Sequence, residues 1–143
     1  ATPWDLLIGI QSEGARRSSI LLAERKAAAG GAPVFMYLVT YQSDFLGGLF
    51  KAGHGIEIAY VFDVVDDVPY VGARPDRYEF TAAMSEAWIA FARSGNPSHP
   101  GIPKWEPYTV KNRATMLFDV PSHLVNDPFR EELDAWKGME IRR

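Results

Sequence analysis

Apolar positions along the chain change their period several times, and each change marks an element. Residues 34–41, VFMYLVTY, form a nearly unbroken apolar and β-branched run, the pattern of a strand buried on both faces. Residues 76–97, DRYEFTAAMSEAWIAFARSGNP, instead set Phe80, Met84, Trp88 and Phe91 at helical spacing and close on Gly95 and Pro97. That spacing predicts a helix whose aromatic stripe faces the core. Upstream, Thr2, Pro3 and Asp5 suit a helix start, because Thr and Asp satisfy free amides and Pro has no N–H to lose, and a short helix over 3–10 is expected. A second, longer helix follows with Ile20, Leu21, Ala23, Ala27 and Ala28 as its inward stripe, stopping at Gly30-Gly31 before Pro33.

Later segments are shorter. Residues 42–53 carry Phe45, Leu46, Leu49 and Phe50 among three glycines, which reads as a loop anchored by apolar side chains. Residues 56–65, IEIAYVFDVV, are ambiguous: their Ile and Val content favours a strand, while Ile56, Tyr60 and Val64 share a helical face. The proline-dense stretch after Gly95 predicts an irregular connection. A short strand is expected over 114–119, then a last helix with Asp127 as N-cap, Pro128 in its first turn, and Phe129, Leu133 and Trp136 inward. Helices, a buried strand, helices, a strand and a helix in that order give an α/β class.

Composition narrows what such a fold is for. The chain has 143 residues, 47% of them hydrophobic, enough for one domain burying about 70% of its unfolded surface. A net charge of −3, with basic pairs only at Arg16-Arg17 and Arg142-Arg143, argues against a nucleic-acid partner. No apolar run approaches the ~18 residues of a membrane span. The reading is of a soluble protein, with the cytoplasm favoured over secretion. The absence of cysteine excludes thiolate metal sites and cysteine nucleophiles and leaves the redox compartment open.

Candidate chemistry is sparse. His54 sits between Gly53 and Gly55, one loop after the expected buried strand, and α/β folds gather their sites at the carboxyl ends of strands. The G-x-S-x-G nucleophile elbow is absent; the nearest approach, GIQSEG, has Gly9 three positions before Ser12 instead of two. Ser12 reads as a turn or cap residue, and Glu13-Gly14 as ordinary structure. His54, His99 and His123 are far apart and lack metal-ligand spacing; His99 is expected to be exposed and His123 to cap the approach to the last helix. Asp66-Asp67 read as a solvated turn. No cofactor is expected.

Four blocks in order, APVFMYLVTYQSD, KAGHGIEIAYVF, MSEAWIAFARSGNPSHPGIPKWEPYT and RATMLFD, after the entry TPWDLLIGIQ, resemble the C-terminal part of the type B carboxylesterases. That branch of esterases and lipases includes the cholinesterases and para-nitrobenzyl esterase-like enzymes. The resemblance implies an α/β-hydrolase fold, a short helix directly after the histidine loop, and His54 as the catalytic histidine of a Ser–acid–His triad. It further implies that residues 1–143 are a single C-terminal segment of the catalytic domain. The serine, the oxyanion loop and the triad acid then belong to the upstream part of the same protein, and the segment is inactive alone. Substrates are small-molecule carboxylic esters. Glu57 either orients His54 or is a helix-start charge, the second being preferred, and Phe45, Leu46, Leu49 and Phe50 either line an acyl pocket or pack the loop. The alternative is a non-catalytic adhesion, scaffold or binding module of the same descent. An apolar strand left without neighbours predicts a homodimer of the isolated segment.

Overall fold

The computed structural model describes residues 2–138. Its first element is one helix, α1, Pro3–Ala29, where the sequence predicts two. Thr2 and Asp5 form the expected capping box: the Thr2 hydroxyl accepts from the Asp5 amide and the Asp5 carboxylate accepts from the Thr2 amide. The expected break at residues 11–14 does not occur. No proline interrupts it, the Glu13–Arg16 pair at 2.7 Å spans it, and a helical glycine such as Gly14 costs only about 1 kcal/mol. Ser12 is accordingly mid-helix.

Three strands make one sheet in the order β1 (Met36–Val39), β2 (Ala114–Phe118), β3 (His123–Asn126). β1 runs parallel to β2, with Met36 opposite Thr115 and Val39 opposite Phe118. β3 returns antiparallel, with Leu117 opposite His123. β3 replaces the cap expected at His123, which is an exposed strand residue. β1 is shorter than the 34–41 run and only half-buried, because it lies at the sheet edge with one hydrogen-bonded neighbour.

Side chains alternate across the sheet with period two. Tyr37 and Val39 of β1 and Met116 and Phe118 of β2 face α2 (Ile56–Val61) and α3 (Arg77–Ser94), where the core gathers Tyr41, Ile56, Tyr60, Phe80 and Met84. α3 forms over the stripe expected of it and ends at a left-handed Gly95. Phe80 and Met84 are fully buried, whereas Trp88 and Phe91 are nearly half exposed and meet Tyr37 and Phe35 edge-on, centroids 6.4 and 6.2 Å apart.

α4 (Arg130–Ala135) begins later than the sequence predicts. Asp127 does not cap it, since its carboxylate is held by Arg113 and Arg130. Phe129 takes the N-cap place in left-handed backbone and is 44% exposed, not inward. His99 also departs from its expected exposure: its side chain is only 8% exposed, with Nε2 3.0 Å from the Ala83 carbonyl and Nδ1 2.9 Å from Glu86. No described helix is long and apolar enough to cross a membrane.

Candidate active site

The parallel strands β1 and β2 end side by side, and the chain leaving β1 becomes the loop that delivers His54. A one-pair bridge closes that loop near its base, where the Ser43 amide donates to the Lys51 carbonyl at 3.1 Å. Its far side is tied to α1: Trp4 Nε1 donates to the Leu49 carbonyl at 2.9 Å, and Lys51 pairs with Asp5. The Lys51 ammonium, followed by the Thr2 amide and hydroxyl, holds the Asp5 carboxyl far below the usual carboxylate range.

Both glycines beside His54 have a physical reason. A Cβ on Gly53 would stand 2.6 Å from Cζ of Phe50, closer than real side chains come, so the Phe50 ring fits only against a glycine there. Gly55 starts α2 in left-handed backbone at φ 80°, where an L side chain is strained. Ile56, 1% exposed, then plugs into the core two residues past the histidine. The helix after the histidine loop is therefore present, as the resemblance implies.

His54 itself is exposed and lines a cleft of about 1330 Å³ between α1 and the open face of the sheet. Leu46, Leu49 and Phe50 line the same cleft, while Phe45 does not line it and packs on Phe50 at 5.9 Å. At the strand ends the cleft also carries Thr40, Asp119 and Glu57. Asp119 accepts from the Thr40 hydroxyl and from its neighbour's amide, both at 2.9 Å. The one signal Asp119 carries in the sequence is its place directly after Phe118, the last apolar residue of β2.

Glu13 also faces this cleft. It is 6% exposed; one carboxylate oxygen pairs with Arg16, and the other finds no partner among the described residues. Arg16 also donates to the carbonyls of Pro128 and Phe129 at 2.7 and 3.2 Å, so this buried pair docks the start of α4 onto α1. His99 and His123 lie elsewhere, on the α3 connection and on β3. Among the described residues no three His, Asp or Glu side chains converge as a metal site.

Comparison with known proteins places this geometry. A family model described as "Carboxylesterase family" matches residues 10–136. The para-nitrobenzyl esterase of Bacillus subtilis (strain 168) is 28% identical over 114 residues, covering 78% of this chain and 23% of that protein. Among solved structures, a carboxylesterase of Geobacillus stearothermophilus matches with a TM-score of 0.66 at 36% identity, over 80% of this chain and 24% of that one. An esterase from Clostridium hathewayi, described as able to hydrolyse aliphatic aromatic polyesters, matches with a TM-score of 0.71 at 30% identity, over 78% and 22%. The chain spans less than a quarter of each of these proteins, and 17% of the Carboxylesterase 1C of Rattus norvegicus. A small sheet flanked by helices, matched by solved esterases of the α/β-hydrolase class and by the family model over most of its residues, settles the assignment: the chain belongs to the carboxylesterase family.

Proposed function

We propose that this chain is the C-terminal segment of a serine carboxylesterase catalytic domain and supplies its proton-carrying histidine, His54, for hydrolysis of small-molecule carboxylic esters. The serine, the oxyanion loop and the triad acid come from polypeptide outside these residues. The observation that carries the reading is the setting of His54: exposed, glycine-flanked, and at the rim of a cleft beside the carboxyl ends of two parallel strands. A cleft of about 1330 Å³ exceeds the ~300–1,000 Å³ of ordinary ligand pockets. That size fits a surface completed by more polypeptide better than a finished small-molecule site.

In this reading His54 Nε2 takes the hydroxyl proton as the serine oxygen attacks the ester carbonyl, and later donates it to the departing alcohol. The acid holds Nδ1–H and favours the imidazolium that forms between the two steps. Imidazole suits the task because it takes up and releases protons near neutral pH. In the intact protein, His54→Ala is expected to lower kcat/KM for p-nitrophenyl acetate by at least about 10³-fold with unchanged thermal stability. The 143-residue chain alone is expected to show no turnover. Robust hydrolysis by the isolated chain, abolished by His54→Ala, sinks the requirement for outside residues; unimpaired hydrolysis by the intact variant sinks the role of His54.

A further inference from the structure

A loop of a dozen residues with three glycines is poor support for a group that chemistry needs held to within about 0.5 Å. What steadies it is a second segment, residues 70–76, running alongside its base. Four consecutive residues each bond to that segment. The Tyr41 hydroxyl donates to Asp76 at 2.7 Å. The Gln42 carbonyl accepts from Arg74 Nη1 at 3.2 Å. The Ser43 hydroxyl donates to the Tyr70 carbonyl at 2.8 Å. Asp44 Oδ1 accepts from the Ala73 amide at 2.8 Å.

Two features make this contact specific. Gly72 has φ +83°, and a Cβ there would lie 1.9 Å from Asp44 Oδ1, so the aspartate enters only because position 72 is glycine. Arg74 grips Asp76 through two nitrogens, at 3.0 and 2.5 Å, and stands 4.5 Å over the Tyr41 ring. The far arm of the loop is held by the same segment. Tyr70 packs on Phe50 at 5.6 Å between centroids, and Phe50 is the ring wedged against Gly53, next to His54.

We propose that residues 70–76 act as a latch that fixes the bearing of His54, with Asp44 and Arg74 as its positioning residues. The inference rests on the reading of His54 as proton carrier. The latch touches neither substrate nor the reacting atoms; it acts through the Tyr70–Phe50–Gly53 stack and the closed base of the loop.

The test uses the intact protein labelled with [ε-13C]histidine, in which each histidine cross-peak is assigned by single substitution to Gln. Asp44 is exposed, so Asp44→Ala is expected to fold; it should shift or broaden the His54 cross-peak while those of His99 and His123 stay in place. Asp44→Asn keeps an oxygen acceptor for the Ala73 amide and should restore the wild-type peak. With p-nitrophenyl acetate, Asp44→Ala should lower kcat about tenfold and leave KM within twofold, and Arg74→Ala should do the same. A His54 peak that Asp44→Ala leaves unmoved, or that Asp44→Asn disturbs equally, overturns the latch. If His54→Ala proves fully active, the reading of His54 as proton carrier fails, and the cross-peak comparison still decides the latch by itself.

Discussion

Tyr41 and Tyr60 are both fully buried, with ring centroids 5.8 Å apart, yet their hydroxyls have opposite fates. The Tyr41 hydroxyl donates to Asp76, while that of Tyr60 finds no partner among the described residues. A buried hydroxyl without a hydrogen bond costs about 1–3 kcal/mol, whereas a hydrogen bond to a charged group contributes about 1.5–3 kcal/mol. Tyr60→Phe is therefore expected to be neutral or stabilising by about 1 kcal/mol, and Tyr41→Phe to be destabilising by about 2 kcal/mol. Urea unfolding at neutral pH measures both. The two side chains also contribute to the alkaline limit. Burial pushes the Tyr60 phenol up to about 12, and burial together with the Asp76 hydrogen bond raises Tyr41 as well. Since the unfolded chain ionises near the ordinary value of 10.0, their contribution is complete below that pH; that of Tyr60 is lost as pH rises towards 12, and that of Tyr41 over a still higher range. Wild type should lose stability from pH 10 upward, and Tyr60→Phe should move the alkaline midpoint higher; an unchanged midpoint removes Tyr60 as a cause.

The N-terminal turn of α1 is attached to the histidine loop chiefly by polar groups, through Asp5–Lys51 and Trp4–Leu49. Lys51 first, then the amide and hydroxyl of Thr2, lower the folded value of Asp5 well beneath its ordinary 3.8. A lowered carboxyl stabilises fully above the unfolded value and loses that contribution as pH falls through the folded one. The difference in Tm between wild type and Asp5→Asn is accordingly expected to be constant above pH 5 and to narrow progressively as pH drops below 3.8 towards the lowered folded value; a gap that keeps its full size down to pH 2 assigns it to something other than charge. Such ties are where sequence reading stops. The α3 helix was legible because Phe80 and Met84 repeat at one turn and Gly95 ends it. In α2, β-branched Ile56, Ile58 and Val61 argued for a strand, but burial of Ile56, Ala59 and Tyr60 on one helical face overrode propensity. The four residues of β3 carry no period of their own and are strand only because β2 offers a ladder. His54 stood out by its glycine flanks, whereas Asp44 and Ala73 lie 29 residues apart and meet only in the folded chain.

At the scale of the molecule, β1 offers one side of its backbone to β2 and leaves the other without a strand partner among the described residues. Met36 and Leu38 line the cleft beside that edge, and across it α1 presents Ile8 and Ile20, while Leu6, Ile10 and Leu22 lie outside the cleft lining with exposures of 60%, 58% and 70%. An open edge flanked by apolar side chains is a template for pairing with another chain, and proteins ordinarily blunt such edges with charge, proline or cover. None of these devices lies on β1, whose residues are Met36, Tyr37, Leu38 and Val39. Two copies joined edge to edge satisfy both rows of amides and carbonyls at once and withdraw both apolar clefts from water. The isolated 143-residue chain is therefore expected to self-associate, with light scattering at micromolar concentration giving a dimer or larger species. Leu38→Lys should shift that population towards monomer, because a charge brought to the pairing edge must be desolvated for two copies to meet. A monodisperse wild-type monomer rules out β1 as an open edge in solution, and a dimer that Leu38→Lys leaves intact moves the interface to the outer face of α1, where Leu22→Glu is the corresponding probe.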